Sequence, residues 1–295
     1  MFNPSSVVIE RFVEELVDHY INMYGSNETD IHLVVSNARN ALEIIANSDA
    51  PYHDVNHTIM VTMVGMEILR GKNQIEGSVS AKEWVHFVVS LLHHDIGYVR
   101  GICRADRNGR YAINQKMDTI APPPGSTDAF LTPYHVDRAR IYISERFRKD
   151  EWLDVDMLVA NVERTRFPVP SEEDAQESTD FPGLIRAADL IGQLADPYYP
   201  RKWNALFHEF IEIGVAQRLG YTNPADLARD YPRFFWSCVE PHVQPAIRHL
   251  DRTQEGKAWL AQLYSHVFVE EHMRRRTGPE RAHNRVTQEG GSARM

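Results

Sequence analysis

The segment Leu91-Leu92-His93-His94-Asp95-Ile96-Gly97 is the most informative part of this chain. The apolar residues that lead into it recur at three- and four-residue steps, which is typical of a helix with one buried face. A capping box formed by Ser80 and Glu83 marks the expected start of that helix. We expect His94 and Asp95 to lie in its last turn. A histidine followed by an aspartate offers a nitrogen and an oxygen ligand at one point of the backbone, a pair that suits Fe, Mn, Zn or Mg.

Two further candidate ligands lie far from this segment in the sequence. His57 falls in an upstream helical pattern, which we expect to cover about residues 56–69 and to end at Gly71. Asp189 lies among apolar residues in a downstream helical pattern, where a carboxylate without a cation is costly to bury. Side chains from several facing helices can hold one ion, so the sequence predicts a metal centre. Its four candidate ligands are His57, His94, Asp95 and Asp189.

The order His…His-Asp…Asp of these ligands resembles the signature of the HD-domain superfamily of metal-dependent phosphohydrolases. The resemblance implies an HD-type helical bundle with one firm site for a divalent ion, such as Mn, Mg, Fe, Zn, Ni or Co. It also implies hydrolysis of a phosphoester by metal-activated water, with Asp95 as the catalytic residue that orients the water. Small phosphorylated molecules, nucleotides and cyclic nucleotides among them, are the substrates that the resemblance implies.

The segment Pro51-Tyr52-His53-Asp54-Val55-Asn56-His57 resembles the Tyr-His-Asn-x-x-His segment of class I cyclic nucleotide phosphodiesterases, which share the HD helical core. In that family the second histidine binds metal and the first protonates the leaving oxygen. Carried over to this chain, His57 is a metal ligand and His53 is the general acid, a role that suits an imidazole. The chain departs from the family at Asp54, where the family has asparagine. A water-facing residue at a helix N-terminus stays the alternative for His53.

A second ion is a further expectation, because some HD subfamilies hold one with extra histidines in the interval between the two aspartates. His135 is the only histidine between Asp95 and Asp189 in the sequence, and we expect it to be the ligand. Those subfamilies often use two such histidines, so the number of ions stays open at one or two. Glu163 is a weaker candidate for an additional carboxylate ligand.

The segment from about residue 99 to 133 has no helical period, is locally basic and directly follows the His94-Asp95 pair. A segment of this length is typical of a functional or a disordered loop. Guanidinium groups bind phosphate oxygens in bidentate fashion, so we predict a lid over a substrate phosphate, with a solvated surface loop as the alternative. The phosphate candidates are Arg100, Arg104 and Arg166, followed by Arg138 and Arg164.

The composition limits the classes of protein to be considered. The chain has 295 residues and a formal charge of −9, which argues against the wrapping of nucleic acid. We find neither a secretory signal nor an apolar run of membrane-spanning length, and the two cysteines, Cys103 and Cys238, lie far apart. We therefore expect a cytoplasmic protein with free thiols and no membrane contact, and a homodimer stays open.

The dominant helical period predicts an all-α fold, which we interpret as an HD-domain-like helical bundle with a helical C-terminal extension. We expect one catalytic domain over residues 1–275, with its core at about 30–215, the extension at 216–275 and a disordered tail at 276–295. Two functions besides phosphoester hydrolysis stay open. One is a di-iron oxygenase on the same fold, and the other is a non-catalytic regulatory module that binds a nucleotide.

Overall fold

A computed structural model describes residues 3–276, and these residues form the all-α fold that the helical period predicts. The helices are α1 (Pro4–Tyr24), α2 (Glu28–Ile45), α3 (Val55–Glu76), α4 (Ala81–His93), α5 (His135–Phe147), α6 (Val155–Glu163), α7 (Glu173–Gln176), α8 (Phe181–Leu194), α9 (Tyr199–Glu212), α10 (Val215–Leu219), α11 (Pro224–Phe234), α12 (Glu240–Leu250) and α13 (Gln254–Arg276). Short 3-10 helices cover Ile96–Tyr98 and Asp128–Tyr134, and a π-helix covers Phe235–Val239. The predicted disordered tail lies, apart from its first residue, outside the described residues.

Side-chain caps begin the two helices that lead to the candidate ligands. Ser80 and Glu83 form the expected reciprocal capping box at the start of α4. Asp54 is the N-cap of α3, and its carboxylate accepts a hydrogen bond of 2.9 Å from the backbone N–H of His57. Aspartate and asparagine cap helices about equally well. Asp54 can therefore perform, at this position, the capping that an asparagine would perform.

The helices that carry His57 and Asp189 pack against each other at the centre of the molecule. α3 contacts α4, α8 and α12, and apolar residues of α3, α4 and α8 form much of the core. At Gly192 of α8 the approach is so close that a Cβ atom there would lie 2.6 Å from the Cα atom of Val61 on α3. This contact lies one helical turn after His57 on α3 and one turn after Asp189 on α8. The backbone contact therefore sets the helix separation right beside both ligands.

The third helix is longer than its sequence pattern predicts. The expected end at Gly71 is wrong, because α3 continues through Gly71 to Glu76 and ends at Gly77, whose φ is 63°. Gly71 instead faces α12, where a Cβ atom would lie 2.0 Å from the carbonyl oxygen of His249. One glycine thus permits a close helix contact, and the other provides the left-handed C-cap.

The segment 99–133 folds onto the bundle around one buried ion pair. It contains a two-stranded antiparallel hairpin, β1 (Tyr111–Ala112) and β2 (Thr119–Ile120). The Arg138 guanidinium of α5 is fully buried and donates to the Asp106 carboxylate at 2.9 and 3.1 Å. It also donates, at 2.7–2.8 Å, to the backbone carbonyl oxygens of Gly97, Val99 and Ala112. The Asp106 carboxylate in turn accepts from the backbone N–H groups of Gly101, Cys103 and Ala112. Arg138 and Asp106 together therefore tie the loop to α5.

The C-terminal helices are attached to the same bundle, since α12 and α13 both pack against α3 and α8. The division into a core and an extension stays a prediction. Cys103 is buried and Cys238 is exposed, and both are free thiols. Among the helices of residues 3–276, none combines the length and the apolar character that a membrane span requires.

Candidate metal centre

Four side chains from distant parts of the sequence converge between α3, α8 and the end of α4. The Nε2 atom of His57 lies 3.1 Å from Oδ2 of Asp95 and 3.4 Å from Oδ1 of Asp189. The Nε2 atom of His94 lies 3.1 Å from the same Asp95 oxygen and 3.5 Å from the same Asp189 oxygen. An ion bonded to each ligand at about 2.0–2.2 Å separates neighbouring ligand atoms by roughly 3 Å. The structure thus brings the four predicted ligands to distances at which they can share one ion.

The atoms that face one another in this cluster are buried and unpaired. Nε2 of His57, Nε2 of His94 and Oδ2 of Asp95 have no hydrogen-bond partner within the part of the chain that the structure describes. Buried polar atoms in native proteins are nearly always paired, so an unpaired set of this kind requires an explanation. Two imidazole nitrogens and two carboxylates are a donor set that suits divalent transition metals. The residues therefore fit a divalent cation.

A backbone carbonyl group orients the imidazole of His94, and a helix cap fixes the backbone of His57. His94 follows the last residue of α4, and its Nδ1–H donates to the carbonyl oxygen of Leu91 at 2.7 Å. That hydrogen bond fixes the tautomer and leaves Nε2 free to bind a cation, as is usual for histidine ligands. His57 lies in the first turn of α3, held there by the Asp54 cap. The expectation that the His94-Asp95 pair lies at the end of α4 is accurate to within two residues.

The charges of the cluster shift the pKa values of its members strongly. Burial lowers the pKa of His57, but the nearby carboxylates of Asp189 and Asp95 outweigh that effect and raise the pKa to about 9. At His94, burial also lowers the pKa, but the same two carboxylates outweigh it and hold the pKa of His94 well above its usual value. Conversely, the pKa of Asp95, which burial alone would raise, is held well below its usual range by His94 and His57. Without a cation, the two histidines therefore carry protons at neutral pH.

Ion binding is consequently expected to release protons. A histidine ligand must be neutral, whereas His57 keeps its proton up to about pH 9 in the ion-free protein. Protons compete with the cation, so Mn²⁺ affinity should rise as the pH increases and should level off only above that value. Titration calorimetry near neutral pH, in two buffers of different ionisation enthalpy, should report about one to two protons released per ion. An affinity that is the same at about pH 6 and about pH 8 would contradict this assignment.

His53 lies beside the four ligands and has a carboxylate partner that the sequence did not reveal. His53 belongs to a group with His57 and Asp95 in which one ligand atom of each residue lies within 4.8 Å of those of the other two. Its Nδ1 atom lies 2.6 Å from Oε2 of Glu209 on α9, so Nδ1 carries the hydrogen. Glu209 is buried, and its other oxygen accepts the backbone N–H groups of Tyr52 and His53. Glu209 therefore holds both the ring and the backbone of His53.

Glu209 also affects the proton affinity of His53. Burial lowers the pKa of His53, but the Glu209 carboxylate outweighs burial and raises the pKa above its usual value. The sequence places Glu209 three residues after Leu206 on the buried face of α9. A carboxylate at a core position of an amphipathic helix was the available signal.

His135 occupies the position that the second-ion hypothesis requires. It is the first residue of α5, and its Nδ1–H donates to the carbonyl oxygen of Thr132 at 2.6 Å. Its Nε2 atom lies 3.7 Å from Oδ1 of Asp95, the carboxylate oxygen that does not face His57 and His94. Asp95 thus has imidazoles near both of its oxygens. Whether His135 binds a second ion stays a prediction.

The three arginines named first as phosphate candidates all have protein partners. Arg100 pairs with Asp128 at 2.5 Å and with Asp49 at 3.6 Å. The exposed Arg104 side chain reaches the carbonyl oxygen of Glu145 at 3.5 Å. Arg166 makes two hydrogen bonds to the Glu163 carboxylate and one to Asp137. Glu163, the weaker candidate for a metal ligand, is thus an ion-pair partner of Arg166. The phosphate-binding roles of the arginines stay predictions.

His93 is a buried core histidine that lies outside the candidate metal centre. It precedes His94 directly, but its Nδ1–H donates to the carbonyl oxygen of Val89 at 2.8 Å. Its ring packs against the rings of Tyr142 and Phe147. Burial lowers the pKa of His93 to about 4. The helical rotation between adjacent residues thus separates a core histidine from a candidate ligand, as the sequence indicates.

A comparison with protein-family models gives a match over most of the chain. A family model described as Npun_R2479-like matches residues 2–273. The matched region includes the four candidate ligands together with His53, His135 and Glu209. Among curated proteins, none matches the chain.

Proposed function

The chain belongs to the Npun_R2479-like family, and we propose that it is a metal-dependent phosphohydrolase with an HD-type helical core. The observation that carries the proposal is the convergence of His57, His94, Asp95 and Asp189, the first three of which bring buried ligand atoms without a hydrogen bond. A bound divalent ion would supply a Lewis acid that lowers the pKa of a coordinated water and polarises phosphoryl oxygens. We propose that the substrate is a small phosphorylated molecule of the nucleotide or cyclic nucleotide type.

The protein residues around the ion site have distinct roles in this proposal. The four ligands hold the ion, and the remaining oxygen of Asp95 orients the attacking water. His53 protonates the leaving oxygen from its Nε2 edge, because its Nδ1–H is committed to Glu209 at 2.6 Å. The side chains of His53, His135 and Asp189 are 16%, 15% and 20% exposed, whereas His57 and His94 are almost completely buried. Substrate would therefore reach the ion from the side of His53, His135 and Asp189.

Replacement of Glu209 by glutamine tests the role of His53. We expect kcat to fall by about 10- to 100-fold with little change in KM and in bound metal, because the four ligands remain. The carboxylate raises the pKa of His53, so its removal should lower that pKa. The protonated acid is then lost at lower pH, and the alkaline limb of the rate profile should shift to lower pH.

Glu212→Gln is the matched control for Glu209→Gln. Glu212 lies one turn further along α9, and its carboxylate accepts a hydrogen bond from Thr127 at 2.8 Å. We expect this variant to keep kcat within about threefold of the wild type. Equal rates for Glu209→Gln and Glu212→Gln would show that Glu209 does not position a proton donor.

A panel of phosphoesters tests the proposed function directly. Cyclic and linear nucleotides, simple monoesters and simple diesters are incubated with the purified protein and Mn²⁺, Mg²⁺, Fe²⁺ or Zn²⁺. We expect product from at least one class, no product after chelation, and none from Asp95→Ala. Equal product release by the wild type and Asp95→Ala would contradict the assignment of the catalytic site. If the ion-loaded wild type hydrolyses no member of the panel, the proposed phosphohydrolase activity is contradicted.

A further inference from the structure

Tyr98 separates the two histidines that lie on the accessible side of the site. Its ring stacks on the His53 imidazole at 4.4 Å between centroids with an interplanar angle of 12°. It also stacks on the His135 imidazole at 4.6 Å and 24°. Two nearly parallel rings at such distances cannot share one face of a third ring. His53 and His135 therefore lie on opposite faces of Tyr98.

The separation matters because both histidines are near Asp95. His135 Nε2 lies 3.7 Å from Oδ1 of Asp95, and His53 shares a potential ligand group with Asp95 and His57. Two nitrogens that bind the same ion, each at about 2.0–2.1 Å, lie no more than roughly 4 Å apart. A tyrosine ring between the two imidazoles keeps them farther apart than that. With Tyr98 in place, one ion cannot be bound by both histidines.

We propose that Tyr98 is a positioning residue that gives the two histidines different tasks. It holds His135 beside Asp95, where His135 can serve as the ligand of a second ion, and it keeps His53 off that second ion so that His53 stays available as the proton donor. This role rests on the proposed function, since it concerns the same reaction. It adds the reason why two similar histidines at one site do not act alike.

The backbone ties Tyr98 closely to the ligands. Tyr98 ends the 3-10 helix Ile96–Tyr98, which starts directly after Asp95, and its backbone N–H donates to the carbonyl oxygen of Asp95 at 3.1 Å. The side chain is buried, and its hydroxyl oxygen lies 3.5 Å from Nε2 of His53. The separation depends on the aromatic ring itself. A phenyl ring should therefore keep the separation, whereas an aliphatic side chain should lose it.

The rate experiment compares Tyr98→Phe with Tyr98→Leu in the full chain. We expect the phenylalanine variant to keep kcat within about threefold, and the leucine variant to lose about tenfold or more in kcat with little change in KM. Thermal melts establish that the variants are folded, and Tyr98→Met replaces the leucine variant if that one does not fold. A leucine or methionine variant with wild-type kcat would overturn the proposal.

The binding experiment is a double-mutant cycle read out by Mn²⁺ titration, which does not depend on activity. In the wild-type background, His53→Ala should leave the Mn²⁺ affinity unchanged within about twofold, because His53 is not a ligand. In the Tyr98→Leu background, His53 can move to the ion, so adding His53→Ala should weaken Mn²⁺ binding by about tenfold. The same effect of His53→Ala in both backgrounds would overturn the role of Tyr98. Failure of the proposed function would instead appear as unimpaired hydrolysis by Asp95→Ala.

Discussion

Asp95→Ala is expected to lose the divalent ion and to lower phosphoester hydrolysis by about a thousandfold or more. Asp95 is the one side chain that contacts both His57 and His94 at 3.1 Å and also faces His135. Loss of a catalytic ion removes several kcal/mol of transition-state stabilisation, and about 4 kcal/mol corresponds to a thousandfold in rate. The variant also removes the carboxylate that orients the water in the proposed reaction. Metal analysis of the purified protein and the rate on the best substrate of the panel measure both losses.

His93→Gln is the matched control for Asp95→Ala. His93 is buried two residues before Asp95, yet its hydrogen bond to Val89 and its ring contacts lie in the core. We expect this variant to keep the ion and the rate within about threefold, even where its melting temperature falls. A ligand that binds only the folded state also stabilises it. Mn²⁺ should therefore raise the melting temperature of the wild type and of His93→Gln but not that of Asp95→Ala.

Arg138→Met is expected to cause a large loss of stability, although it lies outside the metal centre. It leaves the buried Asp106 carboxylate without its counter-ion and three carbonyl oxygens without their donor. Breaking a buried ion pair by removing one partner costs about 3–5 kcal/mol of unfolding free energy. In a chain of this size that corresponds to a decrease in Tm on the order of 10 °C. Chemical and thermal denaturation of the ion-free protein measure the loss.

Arg39→Met provides the comparison for Arg138→Met. Arg39 also makes a bidentate pair, with Glu10 at 2.7 and 2.8 Å, but both side chains are about half exposed. Surface ion pairs contribute about 0–1 kcal/mol, so this variant should be almost as stable as the wild type. Adding Asp106→Asn to Arg138→Met should recover part of the loss, because it removes the uncompensated charge. Equal destabilisation by Arg39→Met and Arg138→Met would refute the role of burial.

The sequence could predict that the four candidate ligands converge, because a candidate metal centre is built from distinctive residue types. A His-Asp pair at the end of a well-capped helix, and a histidine and an aspartate in other helical patterns, are visible without a structure. The helical period likewise predicts the all-α fold. The end of α3 was mistaken because Gly71 looks like a helix terminator in sequence, although it makes room for the backbone of α12.

The partners of the predicted residues could not be inferred from the sequence. Glu209 contacts His53 across 156 positions, and only the tertiary packing of α9 brings them together. The sequence made Arg138 a candidate phosphate ligand, because a sequence does not show whether an arginine side chain is buried. Its role depends on Asp106 and on the carbonyl oxygens of Gly97, Val99 and Ala112, which come from segments without a predictive pattern. The two-residue strands of the segment 99–133 are too short to show an alternating pattern.

The contact between Gly192 and Val61 has a consequence for ionic radius. The two ligand-bearing helices are already in close backbone contact, because position 192 has no room for a Cβ atom, which would lie 2.6 Å from the Val61 Cα atom. They cannot move apart without opening a cavity in the surrounding apolar core, which is costly. The span between the imidazole at position 57 and the carboxylate at position 189 is thus rigid. Such a span should discriminate against Ca²⁺, whose bonds are about 2.3–2.6 Å long, and should favour smaller ions with bonds of about 2.0–2.2 Å.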